Sequence, residues 1–272
     1  MFHVQRPRTA TASAFGMLGL IFHVAVRNVR KSQGRNAVTG LLMNMMQTVV
    51  MIGVFWVLTT IIGTRTQIRG DPVLFIMSGV FMFMTHTKAI GAVSGSEGPT
   101  SPMMLHAPMN TIVSISAAAL SSLYTQILSA AVVLYIYHAA FTPLSIHDLT
   151  GALGMFMLSW FSGVAIGMIA LAATPWWPVG FKLITMIYMR ANMITSGKMM
   201  VANNTPARVR QWFDWNPLFH TIDQGRGYIF LNYNPHFSTI SYPLTVAAAC
   251  LVVGLMGEYF TRQHVSASWN KT

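Results

Sequence analysis

The amino-acid sequence predicts an all-α integral membrane protein: an N-terminal interfacial amphipathic helix, about six transmembrane helices, and a re-entrant helix pair before the last span. Three observations carry that expectation. Hydrophobic residues make up 53% of the chain and charged residues only 8%. A soluble domain is usually about 25% charged, so this chain lacks a surface that water can wet. Several apolar runs reach the roughly 20 residues that a spanning helix needs. The period-2 alternation of barrel strands is absent, and helices satisfy their backbone donors and acceptors internally.

The segment from about 14 to 35 comes first. "MLGLIFHVAVRNVRKSQGR" is too short and too charged to span. On a helix Leu18, Phe22, Ala25 and Val29 share one face, and His23, Arg27, Arg30 and Lys31 share another. That pattern describes a helix lying in the interface with its basic residues toward lipid phosphates. A signal peptide is the rival reading, but no small-x-small cleavage site follows. The expected spans are Thr39 to Ile62, Val73 to Val93, Ile112 to Tyr137, Gly151 to Ala173, Gly180 to Val201, and Tyr242 to Phe260. Connections are mostly short, so residues 1–272 read as one membrane domain without an internal repeat.

Orientation follows the basic residues. Arg6, Arg8, Arg27, Arg30, Lys31 and Arg35 precede the first span with no acid among them. The positive-inside rule therefore places the N-terminus in the cytoplasm, and an even number of spans returns the C-terminus there. The segment 202–241 then faces outward, although it carries Arg208, Arg210 and Arg226. Net charge is +11 with a sequence pI near 10.3. Most of that charge sits at the ends of apolar runs, where it meets anionic head groups, and nucleic acid is not an expected partner.

Signals for enzyme chemistry are scarce. The six acidic residues include only two glutamates, Glu97 and Glu258, and no two carboxylates are near neighbours. HExxH and GxSxG motifs are absent, and there is no P-loop. ATP hydrolysis would need another chain. The nine histidines are scattered and the one cysteine, Cys250, sits in an apolar run, so no metal site is expected. The 21 methionines suit flexible helix packing better than copper binding.

Charges inside spans are costly and point to function. Arg190 lies near the middle of the fifth expected span, with Tyr188 two residues before it. Lys88 lies nearer the cytoplasmic end of the second, where it can also snorkel to the interface. Arg190 has either an anionic ligand or a structural partner, for which Glu258 is the candidate; Glu258 can instead meet water or Arg262. The loop "GSEGPTSPMMLHAPMN", Gly95 to Asn110, joins the second and third spans. Its prolines and its apolar Met103, Met104 and Leu105 suit a rigid docking element. In the segment 202–241, Pro206 can start one short helix. Asn216 can cap a second with Pro217 in its first turn, and Gly225 or Gly227 can end it. This pair would set Trp212, Phe213 and Trp215 at head-group depth, as an aromatic belt does.

Three stretches resemble the permease subunit of type-2 ATP-binding-cassette exporters, in the branch that exports capsular and O-antigen polysaccharide. "RNVRKSQGRNAVTG" resembles the basic run entering the first span, with Gly34 and Arg35 at matching places. "RANMITSG" resembles the family's Arg-x-x-x-x-x-Ser-Gly run, at Arg190, Ser196 and Gly197. "WNPLFHTIDQGRGYIF" resembles its Trp-Asn-Pro-Leu-x-His run, at Trp215, Asn216, Pro217, Leu218, His220 and Arg226, and is the most specific. The acidic-Pro pair often found in the first span is Met46-Gln47 here, and the loop after the second span lacks the usual basic residues.

The resemblance implies a homodimer in a bacterial inner membrane, paired with two copies of a separate P-loop ATPase that binds ATP and magnesium, so this chain binds no cofactor. Its cargo would be polysaccharide or a lipid-linked glycan, handed to periplasmic or outer-membrane components. On this reading Arg27, Arg30, Lys31, Arg35, Glu97, Met104 and Leu105 couple to the ATPase. Arg190, Lys88, Tyr188, Trp212, Phe213 and Trp215 line the path, and Asn216, Pro217, His220 and Arg226 form the outer gate. An exporter of small lipophiles with the same architecture is one alternative. A lipid-head-group transferase is another, and it would need clustered acids or histidines.

Overall fold

A helix keeps every backbone hydrogen bond within one segment, and where hydrocarbon supplies no partners the chain is helical throughout. In the computed structural model the described residues are 10–32, 37–62, 68, 70–98 and 111–264, and their regular elements are all helices. They are α1 (Ala10–Ser32), α2 (Ala37–Ile62), α3 (Pro72–Ser94), α4 (Thr111–Ala140), α5 (Leu149–Ala173), α6 (Pro178–Thr195), α7 (Ala207–Arg210), α8 (Pro217–Ile229) and α9 (Ser241–His264). A 3-10 turn covers Ala202–Asn204. Among the described residues, five helices are long and apolar enough to cross a membrane: α2, α3, α4, α5 and α9. The protein is membrane-embedded.

The expected span Gly180 to Val201 is not one of the five. Its helix, α6, has 18 residues. At 1.5 Å each this is about 27 Å, just short of a hydrocarbon core of ~30 Å. Lys182, Arg190 and Asn192 dilute its apolar character. It stops at Ser196 because Gly197 follows with φ +61, the left-handed conformation that ends helices.

Close backbone approach organises the core. The α5 helix packs most extensively against α9 and α3. Gly163 and Gly167 are spaced four apart, so both lie on one face of α5. A Cβ on Gly163 would sit 2.4 Å from the His86 carbonyl oxygen, and one on Gly167 would sit 2.9 Å from the Val93 Cβ. On the other flank Gly254 of α9 admits Met168, where an added Cβ would lie 2.8 Å from the Met168 Cβ. Small residues bring helices together where hydrophobic exclusion no longer drives them. Consequently α3 is buried from Leu74 to His86 without interruption.

One end of the bundle is knitted by caps. Asp71 caps α3, accepting from the Val73 N–H at 2.8 Å, the Tyr137 hydroxyl at 2.7 Å and the Thr142 hydroxyl at 3.0 Å. Asp148 caps α5 through the Thr150 N–H at 2.9 Å. The backbone N–H groups of His147 and Asp148 donate to the carbonyls of Ile229 and Tyr228 at the end of α8. At the opposite end, the Thr111 hydroxyl donates to buried Glu258 at 2.7 Å, and the Trp176 ring N–H donates to Thr261 at 2.9 Å.

Several local expectations are corrected. Helix α1 begins at Ala10 rather than near residue 14, and its packing face differs. Val24 is buried against Val113 and Ala117 with Ile21 and Ala25 beside it, while Leu18 and Phe22 are exposed. The first short helix after Pro206 is a single turn, Ala207–Arg210. The second has Asn216 as its cap and Pro217 in its first turn, but passes both glycines to end at Ile229. Gly225 and Gly227 admit neighbours instead of stopping the helix. A Cβ on Gly225 would be 2.1 Å from the Met82 methyl, and one on Gly227 would be 2.7 Å from Pro235.

Gly163→Ala is expected to destabilise the protein by about 1–3 kcal/mol through overpacking against the α3 backbone. Gly154→Ala on the same helix meets nothing within 4 Å and is expected to leave stability unchanged or slightly raised. Thermal unfolding of both variants in detergent checks the pair.

Candidate functional site

Segment 202–241 is built around Asn216. Its side-chain oxygen accepts from the Leu218 N–H at 2.9 Å, which caps α8. Its amide donates to Asn192 Oδ1 at 2.7 Å and to Thr195 Oγ1 at 2.9 Å. One residue therefore starts α8 and ties it to the last turn of α6. Pro217 suits the position after the cap, because its missing N–H would have had no helical partner. Leu218 is fully buried behind it.

His220 fastens the other side of the corner. Its Nδ1 accepts from the Thr239 N–H at 3.2 Å, so the ring proton lies on Nε2, which donates to the Asp214 carbonyl at 2.8 Å. Its ring lies 4.9 Å from that of Tyr242, whose hydroxyl donates to the Trp215 carbonyl at 2.7 Å. The Trp215 ring N–H donates to the Trp212 carbonyl at 2.7 Å. Trp212 and Trp215 are nevertheless exposed, at 75% and 56% of their surface. Their backbone is held while their rings face out. Phe213 is turned in against Phe219. Arg210 stacks over Phe237 at 3.5 Å and lies 3.9 Å from Asp214, the one ion pair among the described residues.

Arg226 is fully buried rather than placed at a mouth. Its guanidinium donates to the carbonyls of Lys198 and Met200 and lies 3.9 Å from the Phe75 ring. It holds the turn that follows α6 against α3. Gly79 makes room, since a Cβ there would sit 2.7 Å from the Lys198 carbonyl. Asp223, one helical turn earlier, accepts from the hydroxyls of Tyr233 and Ser238. Lys198 lies in the same layer, 3.7 Å from the Phe83 ring and 4.7 Å from that of Phe55.

The remaining candidates are dispersed. Arg190 lies exposed on α6. The Arg190–Glu258 pair does not form, because Glu258 is buried at the far end of α9 against Thr111. Glu258 does not pair with Arg262 either. Tyr188 is partly buried, facing His86. Lys88 does not simply snorkel: its ammonium donates to Gln47 Oε1 at 2.7 Å, joining α3 to α2. Arg27 is exposed on α1, and Glu97 is half-buried beyond the end of α3. Arg35, Met104, Leu105 and the side chains of Arg30 and Lys31 lie outside the described residues, as does most of the loop expected to dock the ATPase.

A cleft of about 430 Å³ opens beside the α3 cap, lined by Asp71, Leu74, His147 and Phe230 among others. Burial raises the Asp71 pKa, but the bonds from Tyr137, Val73, Thr142 and Leu74 outweigh it and hold the carboxyl below its ordinary value. The stability these bonds contribute is present above the unfolded-state pKa and is lost as pH falls through the lower folded-state value.

Sequence reasoning missed His86, Ser162, Asn192 and Thr195. The signals were present, as a histidine within an apolar span and an Asn-x-x-Thr inside the Arg-to-Ser-Gly run. Which distant residue each one meets is decided only by the packing.

Replacing Asn216 separates its two roles. Asn216→Ala is expected to lose the cap, about 1 kcal/mol, and to strand buried amide partners at a further ~1–3 kcal/mol. Asn216→Ser keeps a capping oxygen and is expected to fall between wild type and Asn216→Ala in thermal stability.

Compared with protein-family models the chain finds no match, and no curated protein matches it.

Proposed function

We propose that this chain is the membrane-spanning permease of an ATP-driven exporter that moves polysaccharide or a lipid-linked glycan across a bacterial inner membrane. It works as a homodimer with a separate ATPase. The observation that carries the reading is the position of Arg190. It lies on α6 among exposed apolar residues, including Ile187 at 57% and Ile194 at 76% exposure. A charge facing lipid costs at least about 2.5 kcal/mol by insertion scales. A second copy covering α6 and the equally bare α2 removes Arg190 from lipid and turns it toward a path between the two protomers.

With α6 as a sixth crossing, both termini face the cytoplasm and the α8 end faces the periplasm. The exposed Trp212 and Trp215 then flank the exit, where sugar C–H faces stack on rings while hydroxyls stay mobile. An arginine suits acidic sugars or a phosphate-bearing lipid terminus, because its planar fork binds oxyanions in a bidentate way. Energy comes from the partner chain, since no phosphate-cradling loop occurs in this sequence.

The test is surface polysaccharide in cells carrying Arg190 variants. Losing a charge-assisted bond worth ~1.5–3 kcal/mol predicts that Arg190→Ala exports about ten-fold less or worse at normal protein yield, with Arg190→Lys intermediate. Normal export by Arg190→Ala sinks the reading. Purified permease without its partner is expected to hydrolyse no ATP, measured as phosphate release.

A further inference from the structure

The α6 helix is held to the bundle in an unusual way. It buries only Gly180 and Asn192 among its residues. Leu183, Ile184, Met186 and Ile187 are all about half exposed. Apolar packing therefore does little to set how α6 is rotated about its axis. Among the described residues, two side-chain links join it to other helices. One is Asn192 and Thr195 to Asn216 at its end. The other is Tyr188 to His86 along its length.

His86 is a rigid bracket. It is fully buried, and its backbone is pressed against α5 at Gly163. Its Nδ1 lies 2.9 Å from Ser162 Oγ and 3.3 Å from the Ser159 carbonyl. The Ser162 hydroxyl spends its one proton on the Ser159 carbonyl, at 2.9 Å. The neutral ring must then carry its proton on Nδ1, donating to Ser162, which leaves Nε2 as an acceptor. The Tyr188 hydroxyl lies 3.4 Å from that nitrogen, with the ring centroids 6.2 Å apart. Ser159 is fixed in turn by donating to the Met82 carbonyl at 2.6 Å. A chain of polar contacts thus runs from α3 and α5 into α6, and through Asn192, whose amide donates to the Tyr188 carbonyl at 3.3 Å, to Asn216 and α8.

We propose that His86 is a positioning residue that sets the rotation of α6 through the Tyr188 hydroxyl. Successive residues of an α-helix turn by roughly 100°. Tyr188 and Arg190 are therefore about 200° apart, and holding Tyr188 against the core turns Arg190 out to the exposed face. This last consequence rests on the role proposed for Arg190; the positioning itself does not.

Hydrogen exchange on the full-length protein in nanodiscs tests the positioning. His86→Leu and Tyr188→Phe are each expected to speed exchange of the 178–195 amides about ten-fold, with α3 and α5 changing less than about two-fold. The double variant is expected to add nothing beyond the larger single effect, since both changes break the same bond. His86→Gln restores an acceptor and is expected to recover most of the protection. If His86→Leu does not fold, Tyr188→Phe reads the same link by removing a single oxygen. Unchanged exchange in α6, or a rise spread equally over all helices, overturns the proposal. Export measured on the same variants decides the other question. Loosened α6 with normal export keeps His86 as a positioning residue and removes Arg190 from the path, whereas lost export with an unchanged α6 removes His86 from this role.

Discussion

The distance between α3 and α5 is the constraint from which the rest of the protein follows. Gly163 and Gly167 let the two backbones touch, and no side chain could stand at either place without displacing the His86 carbonyl or Val93. Within a bilayer, helices gain little from excluding lipid, so contact must come from close packing and interhelical hydrogen bonds. Touching backbones provide both. They bury α3 along most of its length, and they bring the Ser159 hydroxyl onto the Met82 carbonyl and His86 onto Ser162.

Around this buried centre the protein spends its polar groups on connections. Arg226 and Asp223 look, as residue types, like parts of a binding site. Each is consumed by a structural task, the arginine on two backbone carbonyls and the aspartate on two hydroxyls. Burying these charges is tolerable because hydrogen bonds replace most of their lost water, although Arg226 Nε is left without a partner. Arg190, like Lys182 on the same helix, is not consumed in this way and faces outward. The buried charged groups thus hold the fold, and on the proposed function it is exposed Arg190 that meets the cargo.

The two weakly attached helices fit the same picture. Both α2 and α6 expose broad apolar faces, with Met43 and Ile194 each more than three-quarters bare. The Lys88–Gln47 bond is one polar tie on α2, and the contacts of Tyr188, Asn192 and Thr195 are the ties on α6. Directional bonds can fix the rotation of a helix without burying its apolar surface, which on the proposed function a second copy covers.

Composition and run length were enough to read an all-helical membrane protein, because the hydrocarbon requirement acts on each segment separately and leaves its mark on consecutive residues. The cap of α8 was legible for the same reason, since Asn216 and Pro217 act on the backbone within three residues of themselves. The status of α6 was not. Its apolar residues continue past Thr195, and only the left-handed Gly197, held under Phe219, ends it there. Neither were the fates of Gly225 and Gly227, because a glycine that stops a helix and a glycine that admits Met82 or Pro235 are the same letter. Charge and depth left Glu258 as the alternative partner for Arg190, and the packing places it against Thr111 instead. Sequence by itself determined which segments are helical and apolar, since that depends on neighbours along the chain. Tertiary structure alone decided which buried polar groups meet, since a hydrogen bond such as His86 to Ser162 depends on backbones brought together from 76 residues apart.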